Sequence, residues 1–159
     1  MREALALAKR GLAENEVPIG AVITLGERVV AGAFWRFGGS LLDHAEVVAL
    51  RAAENDPDVC RRRHEATLYT TLEPCALCMG AAMSFFCSRV VYALESPSDG
   101  AAELPEVWSP DRGHPKPGAP PYAVPAVEGG VCRDESLALV RAYVQRNPDV
   151  TWATTLLPD

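Results

Sequence analysis

The stretch from Ala66 to Leu94 limits the possible folds more than any other part of the chain. ATLYTTL (66–72) is β-branched and aromatic, and reads as a strand. PCALCMGAAMSFF (74–86) is rich in Ala, Met and Leu and reads as a helix. Pro74 suits its first turn, where a missing N–H has no intrahelical partner to lose. SRVVYAL (88–94) is a strand again. Strand, helix and strand in immediate succession make a β-α-β unit, which demands parallel strands and a right-handed crossover.

The flanking segments extend that unit into a layered sheet. Residues 2–14 carry an apolar stripe of Ala4, Leu5, Leu7, Ala8 and Leu12 between charges, the pattern of an amphipathic helix that Val17-Pro18 ends. IGAVITL (19–25) and RVVAGAF (28–34), joined by Gly26-Glu27, predict an antiparallel hairpin. HAEVVALRAAEN (44–55) predicts a helix ended by Pro57, and VPAVEGG (124–130) a short fifth strand. DESLALVRAYVQRN (134–147) predicts a last helix with Asp134 as its N-cap. The seven prolines of residues 105–125 predict an extended loop, and the tail PDVTWATTLLPD has no period. The expected architecture is one domain over residues 1–159, a mixed sheet sandwiched between helices.

Composition narrows the class. Hydrophobic residues make up 48% and charged ones 23%, which fits a folded globule. Lys and Arg number 15 against 21 Asp and Glu, so the net charge of −6 offers no general attraction to a polyanion. The N-terminus has charges throughout its apolar pattern, unlike a secretory leader, and no uncharged stretch approaches the roughly 18 residues that span a bilayer. A cytoplasmic protein with no membrane partner is the expectation.

Five cysteines, Cys60, Cys75, Cys78, Cys87 and Cys132, are an odd and unevenly spaced set, poor material for a disulfide framework. Cys75 and Cys78 are different. Three apart at the start of a helix, both sulfurs share a face, and the helix N-terminus favours thiolate. That pair alone suits zinc or redox chemistry equally. Asp43-His44-Ala45-Glu46 separates the two. A catalytic zinc takes three protein ligands and leaves one position for water. His44, Cys75 and Cys78 supply three. Glu46, two residues beyond His44, is free to act as a proton shuttle. A redox CxxC leaves His44 and Glu46 unexplained.

HAE followed by PCALC is the H-x-E…P-C-x-x-C pattern of zinc nucleobase deaminases. MREALALAKRGLAENEVPIGAVI resembles the N-terminus of bacterial tRNA adenosine deaminases. ATLYTTLEPCALCMGAAM resembles the same family and also guanine and fungal-type cytosine deaminases. The resemblance covers roughly residues 1–104 and leaves the C-terminal segment 126–159 divergent. It implies the cytidine-deaminase-like fold: a three-layer α-β-α sandwich around a five-stranded mixed sheet, usually as a homodimer. It also implies one Zn²⁺ per subunit on His44, Cys75 and Cys78, with a bound water of lowered pKa. Glu46 would take that water's proton and pass protons to the ring nitrogen and the leaving amine, so that ammonia departs and a carbonyl remains.

The substrate positions depart from the family. Its usual Asn after the second strand is matched at best by Arg36, and the loop to His44 is shorter. The Asp that tRNA enzymes carry after the fourth strand is matched by Ser96, and no basic cluster follows Arg146. With the net charge, these differences favour a free nucleobase, nucleoside or related heterocycle over tRNA. LEPC, which holds Glu73, resembles the purine-acting branches. Trp35 and Arg36 are candidates to stack on a ring and bind a polar group. Asp43 is a candidate to orient His44 or the substrate amine, or a plain N-cap. Trp108 is a candidate lid residue, as is His114. His64 and the Arg61–Arg63 run read as solvated, and Cys60, Cys87 and Cys132 as structural. The competing functions are tRNA adenosine deamination in the anticodon loop and a non-catalytic zinc protein of the same fold.

Overall fold

The computed structural model describes residues 1–107 and 122–157. Five strands form one sheet: β1 (Gly20–Leu25), β2 (Arg28–Phe34), β3 (Ala66–Leu72), β4 (Arg89–Leu94) and β5 (Ala126–Glu128), in the order β2-β1-β3-β4-β5. β1 pairs antiparallel with β2 and with β3, while β3–β4 and β4–β5 are parallel. The expected hairpin and β-α-β unit are therefore both present. The helices are α1 (Arg2–Ala13), α2 (Ala45–Ala53), α3 (Pro57–Arg62), α4 (Ala76–Phe85), α5 (Leu104–Val107), α6 (Arg133–Arg146) and α7 (Thr151–Thr154).

Two apolar layers hold the sheet. On one face, Ala45, Ala49, Leu50 and Ala53 of α2 and Met79, Ala82 and Met83 of α4 bury against Ala21, Ile23, Leu68 and Val90. On the other, Leu5, Ala8 and Leu12 of α1 meet Leu139 and Tyr143 of α6. Gly20 permits the close seating of α1: a Cβ there would lie 2.2 Å from the Ala4 carbonyl oxygen, so any larger residue would push the helix off β1. Its N–H donates to Thr71 Oγ1 at 3.0 Å, and Thr71 in turn donates to the Pro18 carbonyl at 3.3 Å. The Gly20 N–H and the Thr71 hydroxyl are thus satisfied, as burial requires.

Several boundaries differ from expectation. Pro57 does not only end a helix; it occupies the first turn of α3, which Asp56 caps through the N–H groups of Asp58 and Val59. Asp134 lies inside the first turn of α6, and Cys132, at a left-handed φ of 61°, holds the N-cap position instead. Leu104–Val107 is helical at the start of the proline-rich stretch. The tail forms α7, tied down by Ala153 and Leu156, which are buried with α1 and α6. No helix among the described residues is long and apolar enough to cross a membrane.

Candidate active site

The ends of β1 and β3 and the starts of α2 and α4 converge on one cavity. Ile19, Trp35, His44, Glu46, Leu72, Glu73, Cys75, Asp99 and Trp152 line it, with Ala45. At about 220 Å³ it is smaller than the roughly 300–1,000 Å³ pockets that hold drug-sized ligands. A volume of that size suits a single planar heterocycle.

His44 stands at the N-cap position of α2 and Cys75 at that of α4, with Cys78 one turn further. The two internal helices thus present their ligands from facing N-termini. His44 Nδ1 lies 3.5 Å from Cys75 Sγ and 3.4 Å from Cys78 Sγ. All three donor atoms fall within 4.8 Å of one another. Tetrahedral zinc, with bonds of about 2.05 Å to nitrogen and 2.3 Å to sulfur, puts N and S about 3.6 Å apart. The observed separations match that value, and two sulfurs with one imidazole are the ligand chemistry zinc selects. These residues fit the ion.

The sulfurs are electrostatically unequal. The Cys78 thiol, donating to Cys75, brings Cys75 down to about 5 against the cost of its burial, helped by the amides of Cys78 and Leu77 and by His44. Cys78 is pushed up by that same neighbour, by burial and by Glu46. One proton is held between two thiols, which zinc binding must displace.

Glu46 is buried on the first turn of α2. Burial pushes its carboxyl up from the usual carboxylate range, opposed by its hydrogen bonds. Thr70 Oγ1 donates to Oε1 at 3.1 Å, and Cys78 Sγ lies 3.3 Å from Oε2. One oxygen is fixed by the sheet, and the other faces the metal ligands. A carboxyl held this way, raised by burial and beside the candidate metal ligands, is suited to accept and return a proton.

Glu73 builds the far wall. Its Oε2 accepts from the Ser96 N–H at 2.9 Å and its Oε1 from the Ala102 N–H at 3.1 Å. The Ala101 N–H adds a bond to the Pro74 carbonyl, and Cys75 and Gly100 form an isolated bridge. The loop after β4 is therefore stitched to the cysteine segment. Asp99 reaches the cavity from this loop, its Oδ1 accepting from Ser96 Oγ at 2.5 Å.

The other sequence candidates fall in different places. Trp35 lines the cavity. Arg36 does not. It pairs with Glu14 at 2.9 Å and lies 4.3 Å from the Phe34 ring centroid, on the solvent side. Asp43 pairs with Arg51, and the N-cap position of α2 belongs to His44. Ser96 is buried as a backbone and hydroxyl partner of the acidic pair rather than as a cavity residue. Trp108 and His114 lie outside the described residues. Arg61 and Arg62 pair with Asp58 and Glu65. Thr70, Asp99 and Trp152 were not among the sequence candidates. Two adjacent threonines in a strand buried on both faces were the available signal for Thr70, since each must find a partner.

The family model of the cytidine and deoxycytidylate deaminase zinc-binding region matches residues 1–94. The chain belongs to this family. His44, Cys75 and Cys78 lie within that matched zinc-binding region. The chain is 34% identical over 94% of its length to a tRNA(Ile)-lysidine synthase of Deinococcus deserti, of which it spans only 28%. It is 33% identical to the tRNA-specific adenosine deaminase of Agrobacterium fabrum, with 90% of each chain covered. Among solved structures, a tRNA:A34 deaminase studied for A-to-I editing is 33% identical, with a TM-score of 0.67 over 87% of this chain and 96% of that one. The guanine deaminase of Nitrosomonas europaea shares the fold at 22% identity, with a TM-score of 0.66 over 89% of this chain and 81% of that one.

Proposed function

We propose that this protein converts the adenine ring of an adenosine held in tRNA to hypoxanthine, releasing ammonia. The observation that carries the reading is the similarity to a tRNA-specific adenosine deaminase over nine-tenths of both chains. The size of the cavity is consistent with it, because a base turned out of an RNA strand enters alone and leaves its sugar and phosphates at the mouth.

His44, Cys75 and Cys78 would hold the zinc, which when bound supplies an activated water at neutral pH. Glu46 does the proton work. Its Oε2 faces the ligand cluster and takes the water proton while Oε1 stays on Thr70. The same carboxyl then donates to the ring nitrogen and, after a second transfer, to the departing amine. Burial that lifts its affinity for a proton makes both directions of transfer accessible. Trp35 and Leu72 exclude bulk water from the ring, and Glu73 fixes the loop that closes the far side.

A second reading, deamination of a free purine base or nucleoside, is favoured by the net charge of −6 and by Glu73 and Asp99 at the cavity. Both weaken attraction to phosphate. Ammonia release from tRNA transcripts, from isolated anticodon stem-loops and from free adenine, adenosine, guanine and cytosine separates the two. Inosine formed in RNA, with loss of binding as salt rises, supports the proposal. Turnover confined to free compounds supports the second reading and overturns the first.

A further inference from the structure

The C-terminal helix contributes a side chain that neither the fold nor the proton chemistry uses. α7 is anchored by Ala153 against α1 and α6 and by Leu156 against Leu94, Leu137 and Val140. Trp152, between these anchors and the start of the helix, is not needed for that packing and stays 43% exposed. It lines the metal-site cavity together with Trp35. The two indole centroids are 6.3 Å apart and their planes meet at 85°. Trp35 is fixed in turn by its backbone N–H on the Ile19 carbonyl at 2.9 Å. Two large aromatic planes at right angles form a corner in the wall of the cavity that Glu46 and His44 also line.

We propose that Trp152 is a substrate-binding residue that seats the substrate ring by stacking in this corner. The inference rests on the deaminase reading and not on the ring being part of an RNA. A planar heterocycle in the corner meets the face of one indole and the edge of the other, both favourable arrangements for aromatic groups. Stacking of this kind tolerates any base, so it positions the ring without reading its exocyclic groups, and the acidic wall of Glu73 and Asp99 is left to do that. It also gives an acidic protein a route to a nucleobase that does not depend on attraction to phosphate. The substrate class is a planar aromatic heterocycle bearing an exocyclic amine; a saturated or puckered cyclic amidine would lose the contact.

The test uses 2-aminopurine riboside, whose fluorescence falls when its ring stacks, titrated into zinc-loaded protein. Wild type and Trp152→Phe should quench the probe with similar dissociation constants. Trp152→Leu keeps apolar bulk but removes the aromatic face. It should weaken binding about tenfold and lose most of the quenching, with zinc content and melting temperature unchanged. On whichever substrate the wild type turns over, Trp152→Leu should raise KM with kcat within about twofold. Equal quenching by Trp152→Leu and wild type would overturn the proposal. So would a Trp152→Phe variant as weak as Trp152→Leu, or no binding by wild type at millimolar probe. Since the probe is a free nucleoside, quenching that follows this pattern in a protein inactive on tRNA would remove the tRNA reading and leave the role of Trp152 standing.

Discussion

Glu46 Oε2 and Cys78 Sγ lie 3.3 Å apart, so the proposed proton shuttle touches a proposed metal ligand directly. Burial raises Glu46's hold on its proton against the hydrogen bond from Cys78, while Glu46 helps to raise the hold of Cys78 on its own. A cation held by His44, Cys75 and Cys78 would favour the charged form of both groups.

Replacing Glu46 with Gln should abolish the shuttle while leaving the ligands in place. Turnover should fall by about 10²–10⁴-fold or more, with zinc content unchanged. The stability effect has the opposite sign. A carboxyl whose folded-state pKa lies above its unfolded value binds a proton more tightly when folded, so its presence costs stability as pH rises through that range. Metal-free Glu46→Gln should therefore melt a few degrees higher than metal-free wild type at pH 7, and the gap should close at acid pH.

Zinc uptake should release about one proton per ion at pH 7, not two. Cys75, at about 5, is already thiolate there, while Cys78 is held protonated. Titration of the metal-free protein with zinc in a weakly buffered indicator dye measures this. Affinity should rise with pH, because the proton on Cys78 competes with the metal. Cys78→Ala should release almost none and bind far more weakly.

Glu73 should matter through the backbone it holds. Glu73→Ala leaves the N–H groups of Ser96 and Ala102 without their acceptor, at a cost of about 1–3 kcal/mol. The loop carrying Asp99 then loses its tie, so KM should rise more than kcat falls. Glu73→Gln keeps one carbonyl acceptor and should recover part of both. Thermal melts and steady-state kinetics on the two variants check the pair of effects.

Asp56 sets an acid limit at the end of the sheet away from the cavity. The Arg28 guanidinium, 2.6 Å away, holds its carboxyl down at about 2, helped by the N–H groups of Asp58 and Val59 at the start of α3. A depressed pKa contributes stability above the unfolded value, near 4, that is lost as pH falls through about 2. Arg28→Ala should flatten the pH dependence of melting temperature in that window and leave melting at pH 7 within a few degrees of wild type.

Much of the fold was legible because its signals are local. The 66–94 unit, the hairpin and the amphipathic α1 each carry their own periodicity, and each stands where that periodicity put it. The ligand set and Glu46 were legible for a related reason. Two helix starts carry them, and sequence spacing at a helix start is close to spacing in space. The cavity walls were not. Asp99 lies in a loop whose course depends on Glu73, and Trp152 sits on a four-residue helix that exists only because Ala153 and Leu156 find cores built by α1, β4 and α6. Arg36 shows the reverse. Its neighbour Trp35 points to the cavity, and Glu14 with the Phe34 ring holds the guanidinium outside it.

The most direct measurement is inosine formation in an adenosine-bearing tRNA transcript by the zinc-loaded protein, run beside its Glu46→Gln variant and a panel of free bases and nucleosides. Wild type should give inosine and one ammonia per event, and the variant no product above background. Product from wild type and variant alike would contradict the role of Glu46. Absence of product from tRNA, with ammonia from a free purine, would contradict the proposed substrate and leave the zinc and Glu46 chemistry in place.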